Sequence, residues 1–425
     1  SIPKPLADAL DALGENPFGG ETALGVDAEN LQRLAAQAKI MARKYDVVVT
    51  NPPYMGSSGM GARLAEFVKK QYPDSKSDLF AVFMERGREY TKIGGYCCMV
   101  TMQSWMFLSS FEKLRGTIMK NQTITTLMHM ENMVLGIAFG TAVSVLKNEH
   151  IAGYKGTYNH IKLEDIEDGE PKDFPVKGNR FAQVSSDNFE KIPGAPVAYW
   201  VSEKMMEAFE KGVLLGTVAD ARQGLATADN NRFLREWYEI DVDKIMFHAK
   251  SCEEAKESGK KWFPYNKGGE FRKWYGNNDF VVNWENDGYE IKHFADEKGK
   301  IRSYTRNPQY YFRECLSWSL VSSSVAAFRY KPNGNIFDVA GMSCFSDENL
   351  LYLLSLCNTK IAMEILSIIA PTINYQCGDI ANIPVIDSVA NRELIEEKTK
   401  ENINVSTTDW DSFETSWDFK KHPLI

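Results

Sequence analysis

The sequence lacks several features that would point to a membrane protein, a secreted protein or a metalloprotein. It contains no uninterrupted apolar run long enough for a membrane span, and no signal-peptide pattern is visible. Its seven cysteines are odd in number and include no C-x-x-C pair, which is typical of reduced thiols in a cytoplasmic protein. The six histidines are scattered without metal-ligand spacing. We therefore expect a cytoplasmic protein with no membrane contact and no bound metal.

An excess of positive charge is also missing, since the formal net charge is −8. This argues against binding of nucleic acid by bulk attraction, but a locally basic cleft would suffice because only the contacted face needs to be positive. The 44% hydrophobic and 25% charged residues are ordinary for a soluble globular protein. A chain of 425 residues exceeds one usual core, so two or three domains are expected.

The first part of the chain alternates between predicted helices and strands. A helix over "NLQRLAAQAKIMARKY", with Asn30 as its N-cap, precedes the strand "DVVVT", whose unbroken apolar character predicts burial on both faces. Another predicted helix, "SSFEKLRGTIMKN", has Ser110 as its cap. The remaining predicted elements are the helix "DLFAVFMERGREYTK" and the strands "YCCMVT", "ITTLMHM" and "TAVSVLKN". This order predicts an α/β fold with a doubly wound, Rossmann-like sheet.

The character of the sequence changes after about residue 150. Short segments, frequent turns and dense aromatic residues predict a mixed α+β region, with one long leucine-rich helix over about 347–369. Trp410, Phe413 and Trp417 are spaced by three and four residues, which predicts a helical stripe. We therefore divide the chain into residues 1–155, 156–405 and 406–425.

The most informative stretch is "YDVVVTNPPYMGSSGMG", residues 45–61. In open α/β sheets, ligands collect at the carboxyl ends of the strands, and Asn51-Pro52-Pro53-Tyr54 follows such an end. The prolines stiffen the turn and remove two N–H donors, which leaves carbonyl oxygens free to accept hydrogen bonds. Tyr54 offers a flat face to a planar ring. A proline-rich turn capped by an asparagine is the simpler alternative.

The same turn suits a particular chemistry. The Asn51 side-chain oxygen and the Pro52 carbonyl together can accept both hydrogens of an amino group. An amine conjugated to a purine is a poor nucleophile, and two acceptors would draw its hydrogens out of the ring plane and localise its lone pair. The turn is therefore suited to a planar ring with an exocyclic NH₂ group that attacks an electrophile.

The N-P-P-Y segment resembles the catalytic motif of the S-adenosylmethionine-dependent amino-methyltransferases that act on adenine in DNA. "SDLFAVFMERG" is similar to the family's D-L-[FY] segment, which implies that Asp78 begins the helix behind the active site. "GIAFGTAVSVL" is similar to the segment whose aromatic residue covers the other face of the flipped base. The resemblance makes Phe139 the candidate for that role; a core phenylalanine at a strand entrance is the alternative.

A finer resemblance is to the adenine-specific methyltransferases of bacterial phage-defence systems, of the BREX or phage-growth-limitation type, which are related to type IIG restriction-modification methyltransferases. It is carried by "AKIMARKYDVVVTNPPYMG", "DNNRFLREWYEI" and "DWDSFETSWDFKKHPL" and extends over nearly the whole chain. The resemblance implies S-adenosylmethionine as cofactor, and double-stranded DNA with one flipped adenine as partner. It also makes other phage-defence proteins candidate partners.

The glycine-rich donor turn of that family, of the D-P-[AC]-x-G-S-G kind, does not occur in this sequence. "GSSGMG", residues 56–61, lies on the wrong side of the strand and is interpreted as a mobile loop over the base, or else as an ordinary loop. We therefore expect a fragment that is inactive alone: part of a catalytic domain in 1–155, a DNA target-recognition domain in 156–405, and the start of a further helical segment in 406–425.

The second half resembles the target-recognition region of these enzymes at "ADARQGLATADNNRFLREW" and "GDIANIPV". Gly224 is expected to permit close backbone approach, and Arg232 is expected to reach a guanine edge. We expect the duplex to be held by a set of basic and amide residues: Lys69, Lys70 and Lys76 beside the catalytic loop, and Arg222, Asn230, Asn231, Arg232 and Arg235 facing them.

Two other functions stay open on the sequence. One is a binding module for DNA or for defence proteins, without catalysis. The other is a methyltransferase for an RNA base or a protein glutamine, because N-P-P-Y is shared with ribosomal and protein-glutamine methyltransferases. The long aromatic region behind the motif favours DNA.

Overall fold

A computed structural model describes residues 28–134, 136–176, 180–322, 325–386 and 389–425. The chain divides into two compact units. The first extends to Glu190 and includes Gly194–Trp200, and the second comprises Lys191–Pro193 and Val201–Ile425. The first unit therefore continues beyond residue 155, because its sheet gains further strands after that position.

The first unit contains a six-stranded sheet in the order β1-β2-β4-β3-β5-β8. Its strands are β1 Tyr45–Thr50, β2 Thr91–Met102, β3 Thr123–Met130, β4 Thr141–Lys147, β5 Lys155–Ile161 and β8 Phe181–Ser185, and a separate ribbon joins β6 Ile166–Glu167 to β7 Glu170–Pro171. Its helices are α1 Ala28–Ala42, α2 Ala62–Gln71, α3 Leu79–Tyr90 and α4 Glu112–Asn121.

The four strands that the sequence predicted are confirmed, and so is the α/β class. The sheet is mixed: β1 pairs with β2 and β3 with β5 in parallel, whereas β4 is antiparallel to both of its neighbours. In its described residues the connection from β3 to β4 contains no helix, and a short connection of this kind reverses the strand direction. The doubly wound arrangement is therefore not established by these residues.

The prediction that β1 is buried on both faces is wrong. Val47 is 55% exposed and Val49 is 72% exposed. Within the described residues β1 pairs with β2 alone, so its other edge has no neighbouring strand. Leu34 and Met41, on the predicted apolar face of α1, are exposed as well. The strands of a parallel sheet are usually buried on both faces, whereas the apolar side chains at this edge are exposed.

The core of the first unit lies between the sheet and its helices, and it is rich in large side chains such as Phe80, Trp105 and Tyr158. The Arg115 guanidinium is also buried, where it donates to the backbone oxygens of Trp105, Leu108 and Gly194. Three carbonyl acceptors offset the cost of burying this cation.

The second unit contains two four-stranded sheets, β10-β17-β14-β15 and β11-β13-β12-β16. Its strands are β9 Val213–Leu214, β10 Asp220–Arg222, β11 Leu234–Glu236, β12 Trp262–Asn266, β13 Phe280–Asn283, β14 Cys315–Trp318, β15 Phe328–Lys331, β16 Ile336–Phe337, β17 Ser343–Phe345 and β18 Pro384–Val385. Its helices are α5 Glu203–Lys211, α6 Asn230–Phe233, α7 Cys252–Glu257, α8 Glu285–Lys292, α9 Leu350–Cys357, α10 Lys360–Ile369, α11 Cys377–Ala381 and α12 Arg392–Trp410.

The predicted long helix over 347–369 is broken into α9 and α10, which meet at a 74° bend. Asn358 exchanges two hydrogen bonds with the backbone of Phe328, and the Thr359 hydroxyl caps α10 by accepting from Ala362 N. Both residues use their side chains to end one helix and start the next. Among the described residues no single helix has the length and apolar character of a membrane span. Only the bent pair of α9 and α10, taken together, has that length and composition.

Three other local predictions are wrong. Asn30 falls inside α1 and is not its cap. Ser110 lies in a short 3₁₀ turn before α4, and the N-cap position is Phe111. The helix that carries Trp410 ends at that residue, so Phe413 and Trp417 lie beyond it. The Trp417 ring packs on Phe247 there, which explains its apolar character without a helical stripe.

Candidate active site and target-recognition region

The Asn51 turn follows the last residue of β1. Asn51 is exposed, Pro52 is buried and Tyr54 is half-buried. The Tyr54 hydroxyl lies 3.0 Å from Asn51 Oδ1 and 3.1 Å from the Val100 carbonyl oxygen of β2. Partial burial raises the pKa of Tyr54, so the phenol keeps its proton and can donate. The single hydroxyl proton is therefore shared between, or donated to one of, two acceptors, the Asn51 side chain and the Val100 carbonyl of the neighbouring strand.

Tyr54 and Phe139 meet at this edge of the sheet, and the role of Phe139 against a flipped base stays a prediction. Their ring centroids are 5.6 Å apart and the ring planes are inclined by 75°. The other side of Tyr54 faces Phe80 of α3, 6.2 Å away and also edge to face. Phe139 is half-buried and precedes β4. Both candidate stacking rings thus come together, although different strands position them.

Asp78 caps α3 and also holds the segment that follows Tyr54. Its Oδ1 accepts from Phe80 N at 3.2 Å and from Met55 N at 3.0 Å. Leu79 N donates back to the Met55 carbonyl oxygen at 3.0 Å. The predicted start of this helix is therefore confirmed, and the carboxylate links it to the end of the N-P-P-Y turn.

The glycine-serine loop is partly ordered by the same helix start. Residues Ser57–Gly59 form one 3₁₀ turn, Gly56 bridges to Asp78, and Ser57 N donates to the Ser77 carbonyl oxygen. Its residues from Gly56 to Gly59 are exposed. The loop lies beside the turn, and its mobility stays a prediction.

The sequence did not predict a group of hydrogen-bonded side chains at this edge of the sheet. His129 Nε2 lies 2.5 Å from Gln103 Oε1, and His129 Nδ1 lies 3.2 Å from the Tyr199 hydroxyl. Burial lowers the pKa of His129 to about 3, and its ring stacks on His160 at 4.6 Å. Gln103 directly follows β2, and its N–H donates to the Gly140 carbonyl oxygen beside Phe139. These partners are far apart in sequence, so no local pattern could have identified them.

The predicted basic residues have different surroundings. Lys69 and Lys70, in the last turn of α2, are exposed, and so is Lys76. Arg222 pairs with Asp220, and Arg232 donates to Glu290 at 2.6 and 2.9 Å. Their charges are therefore partly neutralised within the protein.

The other residues that were predicted to contact DNA also make contacts within the protein. Arg235 donates to the carbonyl oxygens of Asn231 and Leu234, and the Asn230 side chain accepts from the Thr227 hydroxyl. A Cβ atom on Gly224 would lie only 1.8 Å from the Phe337 carbonyl oxygen. The close backbone approach at Gly224 is thus made within the protein, and its approach to DNA stays a prediction.

Comparison with known proteins gives the class that this chain resembles. Residues 15–134 match the family model of the Eco57I restriction-modification methylase. The structure is similar to that of the type IIL restriction-modification enzyme MmeI in complex with DNA, with a TM-score of 0.53 and 13% identity over 88% of this chain and 50% of that chain. Residues 15–134 are therefore similar to the methylase part of restriction-modification enzymes, and the likeness to MmeI concerns the fold alone.

Particular relatives are more similar in sequence. The chain is 37% identical over 446 residues to the adenine-specific methyltransferase BrxX of Escherichia coli O9:H4 (strain HS), covering 99% of this chain and 35% of the relative. It is 39% identical over 408 residues to the adenine-specific methyltransferase PglX of Lacticaseibacillus casei (strain Zhang), covering 93% of this chain and 34% of the relative. The predicted relationship is thus confirmed: the chain is homologous to these enzymes and spans about a third of their length.

Proposed function

We propose that this chain supplies the adenine-binding and target-recognition parts of an S-adenosylmethionine-dependent DNA adenine N6-methyltransferase that acts in restriction-modification or phage defence. The observation that carries the proposal is the meeting of the Asn51 turn with the Tyr54 and Phe139 rings at one sheet edge. Homology to adenine-specific methyltransferases supports the same substrate.

The side chains have distinct roles in this proposal. Asn51 Oδ1 and the Pro52 carbonyl accept the two hydrogens of the adenine N6 amino group, and the Tyr54 ring stacks on the flipped base. Phe139 covers the opposite face after moving away from Tyr54. Asn51 is exposed and can receive a ligand, while the Val100 carbonyl offers the Tyr54 hydroxyl an acceptor that does not compete with adenine.

The described residues do not fit the methyl donor. The sequence has no glycine-rich donor turn, and the outer edge of β1 has no strand beside it in the described ranges. No catalytic step through S-adenosylmethionine is therefore derived for this chain. We infer that a protein of the relatives' length supplies the donor site from residues other than these.

Double-stranded DNA is the substrate in this proposal. The exposed Lys69, Lys70 and Lys76 in the first unit would contact phosphates without regard to sequence. The second unit would supply base contacts. We also propose that the target adenine is flipped out of the duplex. The protein would act in the cytoplasm together with other phage-defence proteins.

The experiment is methylation by the full-length protein that contains this chain. Wild type should place N6-methyladenine in double-stranded DNA, and Asn51→Ala should not. Incubation with equal amounts of DNA, RNA and a glutamine-containing protein substrate tests the alternatives. Methyl transfer to RNA or glutamine with none to DNA would contradict the proposal, and DNA binding without any transfer would favour the binding module.

A further inference from the structure

Three polar side chains from distant parts of the second unit meet in one cluster. Arg306 Nη1 donates to Gln223 Oε1 at 2.7 Å, and Gln223 Nε2 lies 3.4 Å from Gln376 Oε1. Arg306 and Gln376 are exposed, and Gln223 is half-buried. We call Gln223, Arg306 and Gln376 the reading cluster. Its outer surface carries guanidinium and amide donors that these hydrogen bonds do not use.

A rigid frame holds the cluster from behind. Gln223 directly follows β10, and its carbonyl oxygen accepts from Asn307 Nδ2 at 2.9 Å. Leu225 N donates to the Phe337 carbonyl oxygen at 2.8 Å, and Ala226 and Tyr304 exchange two backbone hydrogen bonds of 2.9 Å. The backbones that carry Gln223 and Arg306 are therefore pinned to the same sheet region, as precise recognition requires.

Arg306 differs from several arginines of this unit in its hydrogen-bond partner. Carboxylates pair with several of them: Arg222 with Asp220, Arg232 with Glu290, Arg272 with Asp409 and Arg313 with Asp347. Arg306 bonds to a neutral amide oxygen instead, and no carboxylate of the described residues neutralises it. Its guanidinium also lies 5.7 Å from the ring centroid of the exposed Tyr304. An oriented, unneutralised guanidinium is available to a ligand with acceptor atoms.

Arginine and glutamine amide groups match the acceptor patterns of purines. A guanidinium donates two parallel hydrogen bonds to guanine O6 and N7, and a glutamine amide both donates to N7 and accepts from N6 of adenine. We propose that the reading cluster reads bases in the major groove, with Arg306 bonded to a guanine, Gln376 bonded to an adenine, and Gln223 orienting both. This inference rests on the proposed DNA-methylating function and names the residues that set its target sequence.

The main test compares the methylated sequence of full-length wild type with that of Arg306→Lys, by strand-resolved sequencing of methylated DNA. Lysine keeps the charge and a phosphate contact but loses the paired donors. Discrimination for guanine should fall about five- to 150-fold at one position of the site. Gln376→Ala should relax a different position, where adenine is preferred. Arg302→Lys is the matched control, because Arg302 is exposed on the same segment and lies outside the cluster. An unchanged target sequence in both cluster variants would overturn the inference.

A second measurement separates this inference from the proposed function. Selection of bound duplexes from a random DNA library measures sequence preference without any methyl transfer. Thermal melting of each variant confirms that it is folded. If wild type selects a defined sequence but methylates nothing, the proposed function fails while the cluster is still tested. A uniform loss of binding to all sequences in Arg306→Ala would show a phosphate contact and would contradict base reading.

Discussion

The Tyr54 and Phe139 rings contact each other edge to face, with their centroids 5.6 Å apart. A base held between two parallel rings needs a gap of two van der Waals contacts, about 7 to 8 Å between ring planes. An adenine does not fit between the two rings in this arrangement. If Phe139 stacks on the base as proposed, its ring has to turn and withdraw by about 2 Å before the base enters.

The first prediction concerns the Tyr54 ring. In the full-length protein, Tyr54→Ala should weaken capture of the flipped base by about 1 to 3 kcal/mol, because a stacking face is lost. Tyr54→Phe is the matched control: it keeps the ring and removes only the hydroxyl bonds. The fluorescence of 2-aminopurine at the target position measures capture. Equal fluorescence for Tyr54→Ala and wild type would remove this ring from the site.

The second prediction concerns Asn51. Asn51→Ala should raise the barrier to methyl transfer by about 2 to 4 kcal/mol, because it removes an acceptor that acts mainly in the transition state. Asn51→Asp keeps an oxygen in the same place and serves as the control for volume. Single-turnover kinetics with saturating DNA give the rate, and a wild-type rate for Asn51→Ala would show that this amide takes no part.

The third prediction is that the isolated chain binds S-adenosylmethionine weakly or not at all. Nucleotide-like ligands need the backbone N–H groups of a glycine turn, which this sequence lacks. Isothermal titration calorimetry on the 425-residue chain measures the affinity, with the full-length protein as positive control. Micromolar binding by the isolated chain would reveal a donor site built from these residues.

The fourth prediction concerns the two exposed lysines at the end of α2. Lys69→Ala with Lys70→Ala should weaken binding to every DNA sequence alike and reduce the salt slope of log K by about one for each phosphate that is no longer neutralised. Lys420→Ala with Lys421→Ala is the control, because those lysines are also adjacent and exposed. Gel shifts between about 50 and 200 mM salt, a range in which phosphate binding is sensitive, provide the slope. A larger effect from the control pair would place the DNA elsewhere.

The fifth prediction concerns a buried cation of the second unit. Lys331 Nζ contacts the carbonyl oxygens of Gly276 and Asn277 at 2.9 Å and Asn278 Oδ1 at 2.5 Å. Lys331→Met should destabilise the fold by about 1 to 3 kcal/mol, because these oxygens lose their donor. Urea unfolding at several pH values measures the change.

The pH dependence of that difference has a defined sign. Burial lowers the pKa of Lys331 to about 7, below the value of about 10.4 in an unfolded chain. Between these values the unfolded chain binds the proton more strongly, so the Lys331 contribution to stability rises with pH, by at most about 1.4 kcal/mol per unit. The stability of wild type relative to that of Lys331→Met should therefore increase between about pH 7.5 and 9.5. A pH-independent difference would contradict the lowered pKa.

The strands and the Asn51 turn were predictable because local patterns determine them. An apolar strand followed by two prolines can be recognised without long-range information, and the N-P-P-Y motif suggested the chemistry that is proposed here. The break between α9 and α10 was not predictable, because leucine-rich sequence favours helix on both sides of it. The bend depends on the bond between Asn358 and Phe328, which only tertiary structure creates.

Gly224 shows that a residue chosen for one contact can be required by another. The glycine was predicted to permit a close backbone approach, and such an approach exists, but its partner is the Phe337 carbonyl. Likewise, Arg232 was expected to reach DNA, and its guanidinium is held by Glu290. A single sequence identifies residues that need unusual space or a polar partner, whereas the partner itself depends on the folded chain.

The reading cluster draws its three members from separate stretches of the chain, around residues 223, 306 and 376. Exchange of one contiguous loop with a relative would therefore import a new side chain without the two neighbours that orient it. Directed alteration of the recognised sequence should be designed as a coordinated change at all three positions on an unchanged backbone. In natural populations the same arrangement favours a stepwise change of the recognised sequence, through intermediates of relaxed specificity. It disfavours the replacement of the recognised sequence by a single recombination event.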